Sequence, residues 1–252
     1  MDKRKGFTPL EIKVSNRASK RFLTGFTLVE LLVVMPALRL AREQGKRVVC
    51  LNNLRQLTLA WILYADDNDG EICTAQVYAN NPASWLYISD DGQIFGVLLP
   101  YVKNVKLYKC PTGMRGEMVT YSIVASMWGG NTAAIYWDLP KELCIKNKGQ
   151  IRRPGERFVF LDEGKGPKPG ERASPWAVHY EKPTWWDTPT VRHSDGTNWS
   201  FADGHAEYHK WRDKRTMDLA ELGPGQPRVT HQHNEDLEWA QRGVWGELGY
   251  TP

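Results

Sequence analysis

The sequence lacks the short motifs that mark most enzymes and small metal domains. No Cys-x-x-Cys pair occurs, which argues against a zinc knuckle or a thioredoxin-type site. There is no Gly-x-Ser-x-Gly, no P-loop and no His-Glu-x-x-His. Asp162 and Glu163 are adjacent, so on a strand they would point to opposite faces and make a poor glycosidase pair. Internal repeats and low-complexity tracts are also missing. A net positive charge is absent from most of the chain. Residues 1–25 hold seven basic and two acidic residues, a net of +5, against +4 for the whole chain, which leaves about −1 for the rest. The pI of 8.8 therefore reflects the N-terminal segment rather than a nucleic-acid surface, and no nucleic-acid partner is expected.

A long hydrophobic run is missing too. The longest, Phe26–Leu38, contains Pro36 and stops at Arg39. As a helix it reaches roughly 20 Å, short of the 30 Å or so of a bilayer's hydrocarbon core.

What precedes and fills this run is distinctive. Lys3, Arg4, Lys5, Lys13, Arg17, Lys20 and Arg21 lead into Gly25-Phe26-Thr27-Leu28-Val29-Glu30-Leu31-Leu32. A basic leader, a small residue and an apolar helix have the form of a targeting segment. Glu30 stands uncompensated in the apolar run, where a carboxylate is costly and usually functional. These residues resemble the type IV prepilin and pseudopilin signal. The resemblance implies cleavage by a prepilin peptidase after Gly25, methylation of Phe26 as the new N-terminus, and an assembly role for Glu30 against a neighbouring subunit's amine. The implied partners are the peptidase, other pseudopilin subunits and, if the segment anchors, the inner membrane. A partial echo of the signal, Gly6–Glu11, is followed by polar residues and leads into no helix.

Beyond Pro36 the pattern turns amphipathic. Val48, Leu51, Leu54, Thr58, Trp61, Ile62 and Ala65 recur at three- and four-residue steps, predicting a helix to about Ala65 with Val48, Leu51, Trp61 and Ile62 buried. Asp66–Gly70 ends it. A calcium loop is a poor reading there, because Ala65 stands at the first ligand position and Gln76 at the last. In residues 72–150, Phe95–Val102 reads as a short helix. Ser84–Ile88, Lys106–Cys110 and Val119–Met127 read as strands.

Further on, Arg157–Leu161 reads as a strand. Asp195-Gly196 and Asp203-Gly204 are hairpin signals, predicting a meander of Thr190–His193, Asn198–Ala202 and His205–Tyr208 with Arg157–Leu161 at its edge. Alternation puts Trp199 and Phe201 on one face, expected to meet Trp61 and Ile62. His193, Asp203 and Gly204 match the His-x9-Asp-Gly motif of a large pseudopilin-like bacterial family. Cys50-Leu51-Asn52-Asn53-Leu54 and Cys110-Pro111 are similar to that family as well. The meander would hold His193 and Asp203 roughly 16 Å apart, so both are expected to order turns rather than share a ligand. His205, Glu207 and His209 alternate along one strand face and form a candidate zinc set. No cofactor is expected; calcium and zinc are the metals weighed. Trp176, Trp185 and Trp186 fall in a loop, where their rings either stack on glycans or cover a small core. Cys50, Cys73, Cys110 and Cys144 leave open two disulfides, in any of three connectivities, or free thiols.

The expected architecture is α+β and pilin-like, with one long N-terminal helix packed on an antiparallel sheet. Residues 1–25 would be a leader, 26–65 the helix, 66–215 the β-rich head and 216–252 an extension. The expected function is that of a non-enzymatic pseudopilin-like protein of the bacterial cell envelope, at the periplasmic face of the inner membrane, in a type II secretion or type IV pilus-like system. The alternative is a soluble β-rich, glycan-binding module that has lost its anchor.

Overall fold

The computed structural model describes residues 28–75, 83–129, 141–163, 175–223 and 228–252. It is an α+β protein of two units, residues up to Leu38 and Arg39–Pro252. A single helix, α1 (Leu28–Asp67), opens in the first unit and continues into the second. Gly25 and Phe26 lie outside the described residues; Glu30 falls on the α1 backbone. Among the described residues no helix is long and apolar enough to cross a membrane.

In the second unit α1 buries a stripe of Cys50, Asn53, Leu54, Leu57, Thr58, Trp61 and Ala65, at the three- and four-residue spacing of one helix face. Val48 is 62% exposed, a correction to the expected core, because the stripe is centred on Cys50 and Leu54 instead. Leu51 and Ile62 sit at its margin. The helix stops where the Gly70 amide donates back to the Ala65 carbonyl at 2.8 Å, with Gly70 in the left-handed region. The carboxylates of this turn are engaged separately. Tyr101 donates to Asp67 at 2.9 Å, and Asp66 pairs with Lys148.

The main sheet runs β3 (Tyr121–Ile123), β4 (Phe158–Asp162), β6 (Gly196–Phe201), β7 (Ala206–Lys210), antiparallel throughout. Two small ribbons accompany it: β1 (Tyr87–Ile88) with β2 (Ile94–Phe95), and β5 (Thr184–Trp185) with β8 (Val229–Thr230). Asp203–Gly204 forms the β6–β7 hairpin as expected from its sequence. Thr190–His193 is not a strand; β3 takes the fourth place, on the far side of β4. The expected strand at Lys106–Cys110 is replaced by a 3-10 turn over Val105–Tyr108, started by Asn104 accepting from the Lys106 amide. A one-turn helix, α2 (Leu99–Val102), sits within the predicted Phe95–Val102 segment.

The sheet's two faces are the reverse of the expectation. α1 lies on the side of Asn198 and Ser200: Thr58 donates to Ser200 at 2.7 Å, and Asn198 donates to the Arg47 carbonyl at 3.5 Å. Small side chains here allow close approach of helix and sheet. Trp199 and Phe201 point the other way, into an aromatic layer. The Trp199 ring lies 4.5 Å from Phe158, 5.2 Å from Trp176 and 5.5 Å from Trp239, centroid to centroid. Residues 216–252, expected to be an extension, instead form most of α3 (Lys214–Glu221) and all of α4 (Glu235–Trp245), and α4 covers this layer through Trp239. α4 begins at Asn234, which accepts from the Leu237 amide at 2.9 Å. It buries Leu237, Ala240, Val244 and Trp245. Gly243 lets it approach, since a Cβ there would meet the Phe158 ring at 2.0 Å.

The register of β4 on β6 slips between Phe158 and Leu161, which stand opposite Phe201 and Trp199 respectively. One extra residue on β4 puts both Phe158 and Leu161 on the aromatic face. Asp162, next along, is thereby turned towards α1.

Trp199→Ala is expected to cost about 3–5 kcal/mol in urea titration, whereas Val48→Ala stays within roughly 0.5 kcal/mol. Comparable losses would contradict the burial described.

Candidate metal centre

Asp162 meets three other side chains in the space between α1 and the sheet. Cys50 comes from the buried stripe of α1. Cys110 follows the 3-10 turn, where its amide donates to Thr120 at 2.8 Å. His193 lies just before β6 in a turn with Ser194 at positive φ. Tyr208 clamps that turn by donating to the His193 carbonyl at 2.9 Å. Gly196 is required beside it, because a Cβ would come within 2.0 Å of the His209 carbonyl.

One ligand atom from each of Cys50, Cys110, Asp162 and His193 lies within 4.8 Å of every other. The Cys50 thiol is 3.2 Å from Asp162 Oδ2. His193 Nε2 is 3.2 Å from the Cys110 sulfur and 3.3 Å from Asp162 Oδ2. None of the four exceeds 1% exposure. Around them, Asn53 donates to the Lys109 carbonyl at 3.2 Å, tying α1 to the Cys110 loop. Tyr121 donates to the Cys50 sulfur at 3.3 Å, and the Thr112 amide to the Cys110 sulfur at 3.4 Å. Glu43 Oε1 stands 3.5 Å from His193 Nδ1, and Arg192 Nε 3.6 Å from Asp162 Oδ1.

The electrostatics are strongly skewed. The Cys110 thiol is drawn down to about 6, first by its hydrogen bond with Cys50, with His193 adding to this and burial opposing it. Burial pushes the Cys50 thiol well up. Burial alone would lower His193, but its hydrogen bonds to Asp162 and Cys110 prevail and raise it to about 9.

Cys110, His193 and Glu43 have the outline of a Cys–His–acid catalytic set. Access speaks against it. The sulfur is sealed from solvent, and Cys50 and Asp162 occupy the space a substrate carbonyl would need. A cavity of about 550 Å³ lies elsewhere, lined by Cys144, Arg152, Arg157 and Trp245 among others. Two sulfurs, one imidazole nitrogen and one carboxylate oxygen are instead a donor set for a borderline-soft cation.

The residues singled out from sequence fare differently. His193, expected to order a turn, is buried in the cluster. Asp203 is elsewhere, accepting from the His205 amide at 3.1 Å with His205 Nδ1 at 2.6 Å, and Gly204 shapes the hairpin. His205, Glu207 and His209 do not converge: Glu207 is exposed, and His209 stacks on Trp239 at 3.5 Å. Trp176 and Trp185 are buried and offer no face to a sugar, while Trp186 is half-buried beneath the Arg228 guanidinium, 3.4 Å from its ring. All four cysteines are free thiols, with Cys73 buried and raised by that burial. Cys50 and Asp162 stand 112 residues apart and carry no pair signal; Cys50 opens a stretch of family resemblance, whereas Asp162 only ends a strand.

Compared with protein-family models, curated proteins and solved structures, the chain matches none.

Asn53→Ala should cost about 0.5–1.5 kcal/mol in denaturant titration, because the part-buried Lys109 carbonyl loses its donor. A loss under about 0.5 kcal/mol would show that the Cys110 loop is held without it.

Proposed function

We propose that the chain is a non-enzymatic, pseudopilin-like subunit of the bacterial cell envelope, working in a type II secretion or type IV pilus-like system. The observation that carries this reading is the run Gly25–Leu32 with Glu30 inside it, continuing as a helix whose later half packs on an antiparallel sheet. On this reading a prepilin peptidase cuts after Gly25, Phe26 becomes the methylated N-terminus and Glu30 meets the amine of a neighbouring subunit. The basic leader stays at the cytoplasmic face beside anionic lipid. The anchor is weak, because Phe26–Leu38 falls short of a bilayer. The glycan-binding alternative is the weaker reading, because Trp176 and Trp185 are buried and Trp186 alone keeps a partly exposed ring.

Co-expression with a prepilin peptidase, followed by N-terminal sequencing, tests the proposal. The product should begin at N-methylated Phe26, and Gly25→Val should abolish the cut. A chain left intact beside active peptidase would contradict it. Alkaline extraction should release the unprocessed protein from membranes; retention would show that the short segment anchors after all.

A further inference from the structure

We propose that Cys50, Cys110, Asp162 and His193 bind one zinc ion, and that this ion ties α1 to the sheet. The spacing carries the inference. Zinc–sulfur bonds of about 2.3 Å and zinc–nitrogen or –oxygen bonds of about 2.0–2.1 Å give tetrahedral edges of roughly 3.3–3.8 Å. Three of the six edges are 3.2, 3.2 and 3.3 Å, and no pair of the four exceeds 4.8 Å. A cation at the centre needs those three edges to open by tenths of an ångström and any longer pair to close by about 1 Å at most.

The chemistry agrees with the geometry. A Cys₂HisAsp set suits a d¹⁰ cation with no demand beyond four-fold coordination. Four protein donors, all sealed from solvent, leave no position for water or substrate, which makes the site structural. The surroundings supply the outer contacts such sites use. Glu43 faces the distal nitrogen of His193, so Nε2 is left for the ion. Thr112 and Tyr121 donate to the two sulfurs. Two thiolates and a carboxylate exceed the charge of Zn²⁺ by one, and the Arg192 guanidinium, shared with Glu117, stands beside Asp162 Oδ1. Binding releases to solvent the protons held by the two thiols and by His193 Nε2, and needs no oxidant.

The four ligands come from α1, the loop after the 3-10 turn, the end of β4 and the turn before β6. They are far apart in the chain, so the ion closes long loops and binds only the folded state. Its affinity therefore adds to stability. The competing chemistry is a Cys50–Cys110 disulfide, which an oxidising compartment would favour.

The test uses the full-length chain, purified without a polyhistidine tag or chelator. Elemental analysis should find about one zinc per chain. Chelation should lower the melting temperature, and added Zn²⁺ should restore it. Cys50→Ser, Cys110→Ser, Asp162→Asn and His193→Ala should each lose the metal, while Cys144→Ser and His205→Ala keep it. If the ligand variants fail to fold, the wild type still decides: Co²⁺ added to the chelated protein should give thiolate-to-cobalt charge transfer and intense tetrahedral visible bands. Absence of zinc together with a silent Co²⁺ titration would overturn the proposal. So would a mass showing Cys50 and Cys110 already joined before reduction, or zinc retained by His193→Ala but lost by His205→Ala.

Discussion

The close approach of α1 to the β4–β6 face constrains everything else in this protein. Along this contact the helix sets Cys50, Asn53 and Thr58 among its apolar side chains, and the sheet answers with Asp162, Asn198 and Ser200. Buried polar groups are costly unless each finds a partner. The partners here are specific. Thr58 meets Ser200, Asn53 reaches the Lys109 carbonyl, and the two thiols, the carboxylate and the imidazole meet one another. Shifting the helix by one residue would break all of these contacts together. An apolar interface would have tolerated such a slip more readily, so the polar joint fixes the register of helix on sheet.

Several otherwise odd features serve this joint. The bulge on β4 keeps Phe158 and Leu161 in the aromatic layer while turning Asp162 towards Cys50. The turn at Ser194, clamped by Tyr208, presents the His193 ring. On the opposite face, Trp199, Phe158 and Phe201 pack in one aromatic layer, closed over by α4. The polar joint thus lies on one face of the sheet and the aromatic layer on the other.

The long helix, the Asp203–Gly204 hairpin and the β4, β6 and β7 strands were legible, because each has a local signature in periodicity or turn chemistry. The direction of the faces was not. Alternation shows that Trp199 and Phe201 share a side, but not whether α1 or the C-terminal helices cover it. The helices α3 and α4 were not legible, because each buries only one face and carries charge on the other, as in Lys214–Glu221. The cluster was hidden for a different reason. Metal motifs are recognised by close spacing, and these donors come from four distant segments. Cys50, Cys110 and His193 each stood in a stretch with family resemblance, but Asp162 had no signal beyond ending a strand.

X-ray absorption at the zinc edge, on the intact protein as purified, addresses the central claim most directly. The account predicts a four-coordinate zinc with two sulfurs at about 2.3 Å and two lighter atoms at about 2.0–2.1 Å. Zinc bound by nitrogen and oxygen alone, or no zinc edge beside a sulfur spectrum typical of a disulfide, would contradict it.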